Sequence, residues 1–405
     1  MSMFQQQKDI LVTCPVGIAS YLASEIEEMG YPVRSATARA VGTAGTLVDA
    51  MKMNLMLRTA HRVLYLLDRF KADGPDQLHR RLSGFPWEKV MERNGYFSVL
   101  AAADTPSITD SRFAALTCKD AIVDRFRRTG GIRPDSGPRR DKTVFFCHWR
   151  DSDASIYADT SGTPLARRGY RKIPLTAPLQ ESLAAALIAA SHWNEEGVFV
   201  NPMCGSGTLA IEAALISLRK APGLLRENFG FMHLKGFDGK AWTALRKSAA
   251  AASKTKPLRP IIATDESAEA LEAAKMNARA AGVEHAIDFI QCDFIDTPLP
   301  PPPGIVIMNP AYGERMGHEA ELEGDYRRIG DFLKKQCSGY WGYVFTGNAA
   351  LSKHIGLQTK RRLTFMNGAI ECRLLEYELY AGSKKNQTFN LNLPRRIFKL
   401  RAIRR

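Results

Sequence analysis

The sequence predicts an α/β protein: a parallel, doubly wound sheet in the second half, preceded by an α+β region. Three observations carry that expectation. From Ala177 to Tyr380, short hydrophobic runs alternate with helical patterns, the rhythm of strand–helix–strand units around a parallel sheet. Polar motifs sit at the ends of four successive runs, where such sheets bind ligands. Ahead of Lys172 the runs are shorter and more weakly patterned, as in a mixed α+β fold.

In chain order, Ile10 to Pro15 reads as a short strand and Gly17 to Met29 as a helix with Ile18, Leu22 and Ile26 on one face. Val33 to Val41 alternates weakly and reads as a strand. Thr46 to Leu67 reads as one long amphipathic helix, with Leu47, Met51, Leu55 and Leu57 on its apolar side. That order predicts a ferredoxin-like unit over residues 1–65. Within 66–172, Phe97 to Ala102 reads as a strand, Ser107 to Asp110 as a helix start and Phe113 to Phe126 as a helix. Thr143 to Trp149 and Ser155 to Asp159 read as strands paired across a polar turn. Two prolines between Lys172 and Pro178 mark the boundary to a third domain over 173–382, with a basic tail over 383–405.

The balance of charge points to a polyanionic partner. The 405 residues carry 56 Lys and Arg against 42 Asp and Glu, a net charge of +14. The excess is clustered, in Arg125 to Lys142, in Arg167, Arg168, Arg171 and Lys172, and from Lys384 to Arg405, which holds no acidic residue. Nucleic acid is the simplest partner for three such clusters. The longest low-charge stretch, Leu183 to Trp193, is too short to span a bilayer, and the polar first nine residues do not read as a secretory signal. Seven scattered cysteines without a CxxC pair predict reduced thiols in a cytoplasmic protein and no metal site.

In the second half, Val198 to Val200 is the first strand, followed by Ile261 to Ala263, Ile287 to Ile290, Ile305 to Met308, Trp341 to Phe345 and Cys372 to Tyr380. Asn201-Pro202-Met203-Cys204-Gly205-Ser206-Gly207-Thr208 links the first strand to a helix over Leu209 to Leu218. Its glycines permit close approach of a ligand, and the helix start offers free N–H groups. A tight strand-to-helix turn would look the same. Asp265, with Glu266 after it, ends the second strand, where a carboxylate can accept from a ribose diol. Asp265 can equally cap the helix Ala268 to Ala281. Asp293 ends the third strand beside Phe294, placed to accept from an adenine amine while the ring packs on the base; it can also hold a turn. Four such motifs at four strand ends favour one ligand crevice over four coincidences.

The fourth motif is Asn309-Pro310-Ala311-Tyr312, after a strand buried on both faces. Pro310 lacks an N–H and biases Asn309 away from helix, which fixes the direction of the chain and its carbonyls. An amide, a carbonyl and an aromatic ring suit a planar base with an exocyclic amine. Accepting both amine N–H groups keeps the nitrogen lone pair from draining into the ring, so the amine becomes nucleophilic without a strong base.

Together these stretches resemble the class I, Rossmann-like S-adenosylmethionine-dependent methyltransferases that act on amino groups. More closely, the chain is similar to the THUMP-containing ribosomal RNA guanine-N2 methyltransferases of RlmL type, a family also labelled as adenine-specific DNA methylases. The resemblance rests on Asp159 to Arg171, Thr176 to Ala184, Ala221 to Leu224, Trp242 and Asn309 to Arg315. It implies S-adenosylmethionine as cofactor and 23S rRNA as substrate, with tRNA as the alternative and a catalytically decayed RNA-binding assembly factor as a third reading. It implies a THUMP-like RNA-binding domain over 66–172. It assigns catalysis to Asn309, Pro310 and Tyr312. Residues 201–208, Asp265, Glu266, Asp293, Phe294 and Asn309 would hold the cofactor. Arg167, Arg168, Arg171, Lys172, Tyr312 and Arg315 would face RNA. Two positions depart from the family: Ala311 replaces a second proline, and Asn201 stands where an acidic residue is common.

Overall fold

The computed structural model describes residues 3–380 apart from 107, 109, 132, 174–178 and 312–318. Two sheets organise it. The first has strands β1 (Lys8–Thr13), β2 (Ser35–Ala36), β3 (Ala40–Gly45), β4 (Arg62–Lys71), β5 (Tyr96–Asp104), β6 (Asp135–Ser136), β7 (Thr143–Arg150) and β8 (Asp153–Asp159), in the order β2-β3-β1-β4-β8-β7-β5-β6. Helices α1 (Ala19–Glu28), α2 (Leu47–Met56), α3 (Pro75–Gly84) and α4 (Ser111–Gly130) accompany it. β4 pairs antiparallel with β1 on one side and β8 on the other, so the sheet runs unbroken through position 65.

The expected helix over Thr46 to Leu67 is a helix and then a strand. Thr46 caps α2 in a capping box with Asp49, and the helix stops at Leu57, whose backbone is extended. The next apolar run, Val63 to Leu67, belongs to β4, an interior strand. The expected strand over Val33 to Val41 is the short β2 plus the start of β3. Asp110 caps α4 by accepting from Arg112 N–H at 2.8 Å; Ser107 and Thr109 lie outside the described residues.

The second sheet takes β9 (Val198–Pro202), β10 (Ile261–Asp265), β11 (Asp288–Gln291), β12 (Gly304–Met308), β13 (Tyr340–Thr346), β14 (Arg361–Asn367) and β15 (Ile370–Glu378) in the order β11-β10-β9-β12-β13-β15-β14. β9 to β13 are mutually parallel, as the hydrophobic runs predicted. β15, expected as a further parallel strand, is antiparallel to β13 and forms a hairpin with β14 at the edge. Helices α5 (Glu181–Ala190), α6 (Thr208–Ser217), α7 (Gly239–Ala251), α8 (Ala268–Ala281) and α9 (Glu319–Lys335) complete this half. The order reverses at β9, where β10 lies on one side and β12 on the other. That is the switch point at which the carboxyl ends of strands open a crevice.

The two halves are joined by buried polar bonds. Arg58, after α2, donates to the carbonyls of Leu215 and Lys220 at the carboxyl end of α6. Arg226 donates to the carbonyls of Ser161, Thr163 and Pro164 at 2.9–3.0 Å. The segment between α6 and α7 is thereby anchored on the first half. No described helix is long and apolar enough to cross a membrane.

Candidate active site

β9 delivers the chain into the Asn201–Thr208 loop, and two backbone features shape it. Gly207 takes a left-handed φ of 81°, and a Cβ there would meet Ala274 Cβ of α8 at 2.9 Å, so only glycine lets α6 and α8 close up. Gly205 is also left-handed, at φ 55°, but a Cβ on it would meet no atom within 4 Å. Its open side faces free space that a ligand can use. Met203 takes a left-handed φ of 54°, a conformation that costs a non-glycine residue about 1–2 kcal/mol. No side chain caps the amino end of α6.

The loop is braced from its neighbours. Asp265 at the end of β10 accepts from Gly205 N–H at 2.9 Å with one oxygen and from Ser267 N–H at 3.0 Å with the other. Ser267, not Asp265, caps α8. Asn277 of α8 donates to the Ser206 carbonyl at 3.2 Å and accepts from Lys172 and Ile173 N–H at 2.7 and 3.2 Å. Cys204 is buried, which pushes its thiol well up and keeps it protonated. Glu266 is exposed, and its carbonyl accepts from Gln291.

Asn201 is buried, and its amide donates across the sheet to the Ile307 carbonyl at 2.9 Å. It thereby ties the end of β9 to the end of β12. Its Oδ1 is buried without a partner, and so is Oδ1 of Asn309, just past β12. Buried carbonyl oxygens are normally paired, at a cost of about 1–3 kcal/mol when they are not. Two such oxygens lie at the ends of neighbouring strands at the switch point. They are the acceptors that a ligand's N–H groups would satisfy. Pro310 is buried, the Ala311 carbonyl lies 3.5 Å from the Tyr326 hydroxyl, and Tyr312 and Arg315 lie outside the described residues.

Asp293 departs from expectation. One oxygen accepts from Ile295 N–H at 3.1 Å and the other from Arg328 of α9. Partial burial works against its charge, but the Arg328 bond prevails and holds its carboxyl below the usual value. Phe294 is buried, its ring edge-on to Phe332 at 6.0 Å and its face under the Arg328 guanidinium at 4.9 Å. In this structure its ring is core packing between the third strand and α9, not a platform open to a base.

The expected RNA-facing arginines separate into two kinds. Arg167 and Lys172 are exposed. Arg168 is 1% exposed and fully committed: it forks onto Glu212 of α6 at 2.8 and 3.1 Å and donates to the carbonyls of Leu165 and Arg58. Burial opposes its charge, and the Glu212 carboxylate more than restores it. Tyr170 completes the cluster at 3.2 Å from Glu212. Arg171 is half-buried, bonded to Glu181 and to the Leu179 carbonyl. The RNA role expected of Arg168 is therefore corrected: no phosphate can reach it. A signal existed, since a lone Glu212 inside the apolar run of α6 demands a buried cation.

Two sequence families match this chain, one described as the RMKL-like methyltransferase domain over residues 168–376 and one as the RlmL ferredoxin-like domain over residues 9–64. The chain belongs to the RlmK/L-like methyltransferase family. A Syntrophotalea carbinolica protein named ribosomal RNA large subunit methyltransferase K/L is 38% identical over 377 residues, covering 91% of this chain and 53% of that protein. The chain thus spans about half the length of the K/L relatives it matches. A candidate RNA methyltransferase of Synechocystis is 34% identical, covering 90% of this chain and 95% of that protein. A crystal structure of the methyltransferase candidate SMU.472, complexed with SAH, superposes with a TM-score of 0.83 at 25% identity, covering 93% of this chain and 100% of that one. A Listeria monocytogenes protein described as a predicted N6-adenine-specific DNA methylase gives 0.82 at 28% identity, covering 92% and 96%. The proteins this chain resembles are thus named for different nucleic acids. Among the described residues, no group of three or more His, Cys, Asp or Glu is arranged to hold a metal.

Proposed function

We propose that this RlmK/L-like chain transfers a methyl group from S-adenosylmethionine to the exocyclic N2 of a guanine in large-subunit ribosomal RNA. The observation that carries the reading is the unpartnered, buried Asn309 Oδ1, next to Pro310 and one strand from the glycine loop. The donor-side residues fit the cofactor: Gly205 leaves open space, α6 starts without a side-chain cap, and Asn201 holds an unpaired acceptor. Asn201 Oδ1 would accept from the methionine ammonium, and Asp265, braced by Gly205 N–H, would use its remaining lone pairs on the ribose hydroxyls.

S-adenosylmethionine supplies a methyl group on a cationic sulfur, a good leaving group. The chain's own task is to bind, orient and exclude water. Asn309 Oδ1 and the Pro310 carbonyl accept the two N–H groups of the base amine and keep its lone pair available. No side-chain base is required, and the proton leaves the methylated nitrogen to water. Tyr312 would stack on a base turned out of its helix, a contact worth about 1–3 kcal/mol. The first half and the exposed Arg167 and Lys172 would grip RNA backbone and shape.

Incubation with methyl-labelled S-adenosylmethionine and separate pools of rRNA, tRNA and DNA tests this. Label in rRNA as N2-methylguanosine, lost in Asn309→Ala, is the expected result. Label in tRNA moves the substrate, and N6-methyladenine in DNA would follow the Listeria relative's description. Bound cofactor with no label anywhere leaves an RNA-binding assembly factor.

A further inference from the structure

The strand order separates a donor side from an acceptor side. The glycine loop, Asp265 and Asp293 follow β9, β10 and β11, on one flank of Asn309. The opposite flank, beyond β12, is built by β13 and the β15–β14 hairpin. A second concavity of about 140 Å³ lies there, lined in part by Thr346, Asn348, Ser352, Arg362, Glu371 and Arg373. It touches the reaction loop: the Tyr326 hydroxyl is shared between Thr346 Oγ1 at 2.7 Å and the Ala311 carbonyl at 3.5 Å.

Its arginines have been left available. Strand alternation gives the adjacent pair Arg361 and Arg362 opposite fates. Arg361 turns to one face and is neutralised by the buried Glu376. Arg362 turns to the other, where its side chain donates to the neutral Thr359 hydroxyl at 3.0 Å. Cross-strand register puts Arg373 opposite Thr364, two residues along the same face, and Thr346 opposite Arg373 on the far side. Glu371 lies 3.6 Å from Arg373, and both are half exposed, so one weak pair offsets part of the charge. Two guanidiniums against one carboxylate, among small hydroxyl and amide groups, suit a phosphodiester rather than a cation or an apolar group.

We propose that this concavity is the subsite for a backbone phosphate flanking the target nucleotide, with Arg362 and Arg373 as its ligands. The inference rests on the proposed RNA methyl transfer, whose acceptor strand must reach Asn309 from the flank that the cofactor does not use. A flipped base needs its flanking backbone held, because rotation about that backbone is what presents the base.

The test uses the full chain and unmodified large-subunit rRNA, comparing wild type, Arg362→Gln, Arg373→Gln, the double variant and Glu371→Gln. All three positions are exposed, so folding should be kept, and SAH affinity by calorimetry verifies it. Each arginine variant should raise KM for RNA about tenfold, as expected for one charge-assisted contact. The double variant should flatten the dependence of log affinity on log salt by about one unit. SAH affinity should stay within twofold, and Glu371→Gln should leave RNA binding unchanged or tighter. Unchanged KM and salt slope in the double variant, with wild type active, overturns the subsite alone. Weaker RNA binding in Glu371→Gln overturns its phosphate chemistry, since a carboxylate would then be the ligand. Absence of transfer by wild type to any nucleic acid removes the reading beneath it, and the subsite with it.

Discussion

Replacing Arg168 by Met should destabilise the protein without touching the chemistry of RNA binding. The Glu212 carboxylate is fully buried and accepts from Arg168 Nε at 2.8 Å, an Arg168 terminal nitrogen at 3.1 Å and the Tyr170 hydroxyl at 3.2 Å. Arg168→Met removes two of them and leaves a buried charge held by one neutral hydroxyl. Breaking a buried pair in this way costs about 3–5 kcal/mol. Removing both charges, in Arg168→Met with Glu212→Leu, takes away the unpaired carboxylate and should recover most of that loss. Urea unfolding followed by tryptophan fluorescence and by far-ultraviolet circular dichroism reads both variants. The thermal midpoint of the single variant should fall by about 4–6 °C. A loss below about 1 kcal/mol, or a double variant as unstable as the single one, would refute the reasoning. So would a stable Arg168→Met whose only defect is weaker RNA binding, for then Arg168 faces RNA after all.

Other outcomes follow from the site and the edge hairpin. Asn309→Ala should lower kcat at least about 100-fold while SAH affinity stays within roughly threefold, if the amide acts on the acceptor as proposed; steady-state kinetics with calorimetry separates the two. Gly205→Val should weaken SAH binding roughly tenfold by filling the open side of the loop, and Gly207→Ala should cost about 2–3 kcal/mol, combining left-handed strain with the 2.9 Å approach to Ala274. Burial opposes the charge of Glu376, but bonds from His192 and Arg361 prevail and depress its pKa from 4.5 to about 2. A depressed carboxylate pKa contributes stability that is complete above pH ~4.5 and is lost as pH falls toward ~2. Arg361→Met should flatten that acid limb in denaturation curves recorded from pH 5 to pH 2.

The second half was legible because its physics is simple. Strands buried on both faces must be hydrophobic runs, and ligand chemistry gathers at their carboxyl ends, so Val198 to Val200 and Ile305 to Met308 announced both sheet and site. The same rule failed for β4. Val63 to Leu67 is a continuous apolar run, and such runs carry no period that separates strand from helix, so it merged with α2. β14 escaped notice because it is an edge strand, largely exposed along Arg361 to Thr364. Asp293 was legible as a strand-end carboxylate but not as the partner of Arg328, which is 35 residues away in sequence. For Arg168 the residue type misled: exposure decides whether an arginine is a phosphate ligand, and a motif does not encode exposure.

The burial of Arg168 also changes what the first half can do. Its contacts converge on α6, the helix that opens at the glycine loop. Arg168 grips α6 at Glu212, near mid-helix, and Arg58 donates to the Leu215 carbonyl in its last turn, where a cation favours the helix dipole. Asn277 meanwhile ties the backbone at Lys172 and Ile173 to the Ser206 carbonyl inside the loop. A domain hung on a flexible linker would present RNA to the reaction centre at varying distances. One bonded to the body and the approach of α6 holds the exposed Arg167 and Lys172 at a fixed offset from Asn309. Extra residues inserted between 172 and 179 should therefore leave RNA affinity nearly unchanged, since the exposed cations remain. If the ion pair and the Arg58 bonds keep the geometry, kcat should also survive. A fall in kcat with KM unchanged would show that the linker, rather than the buried network, sets the distance.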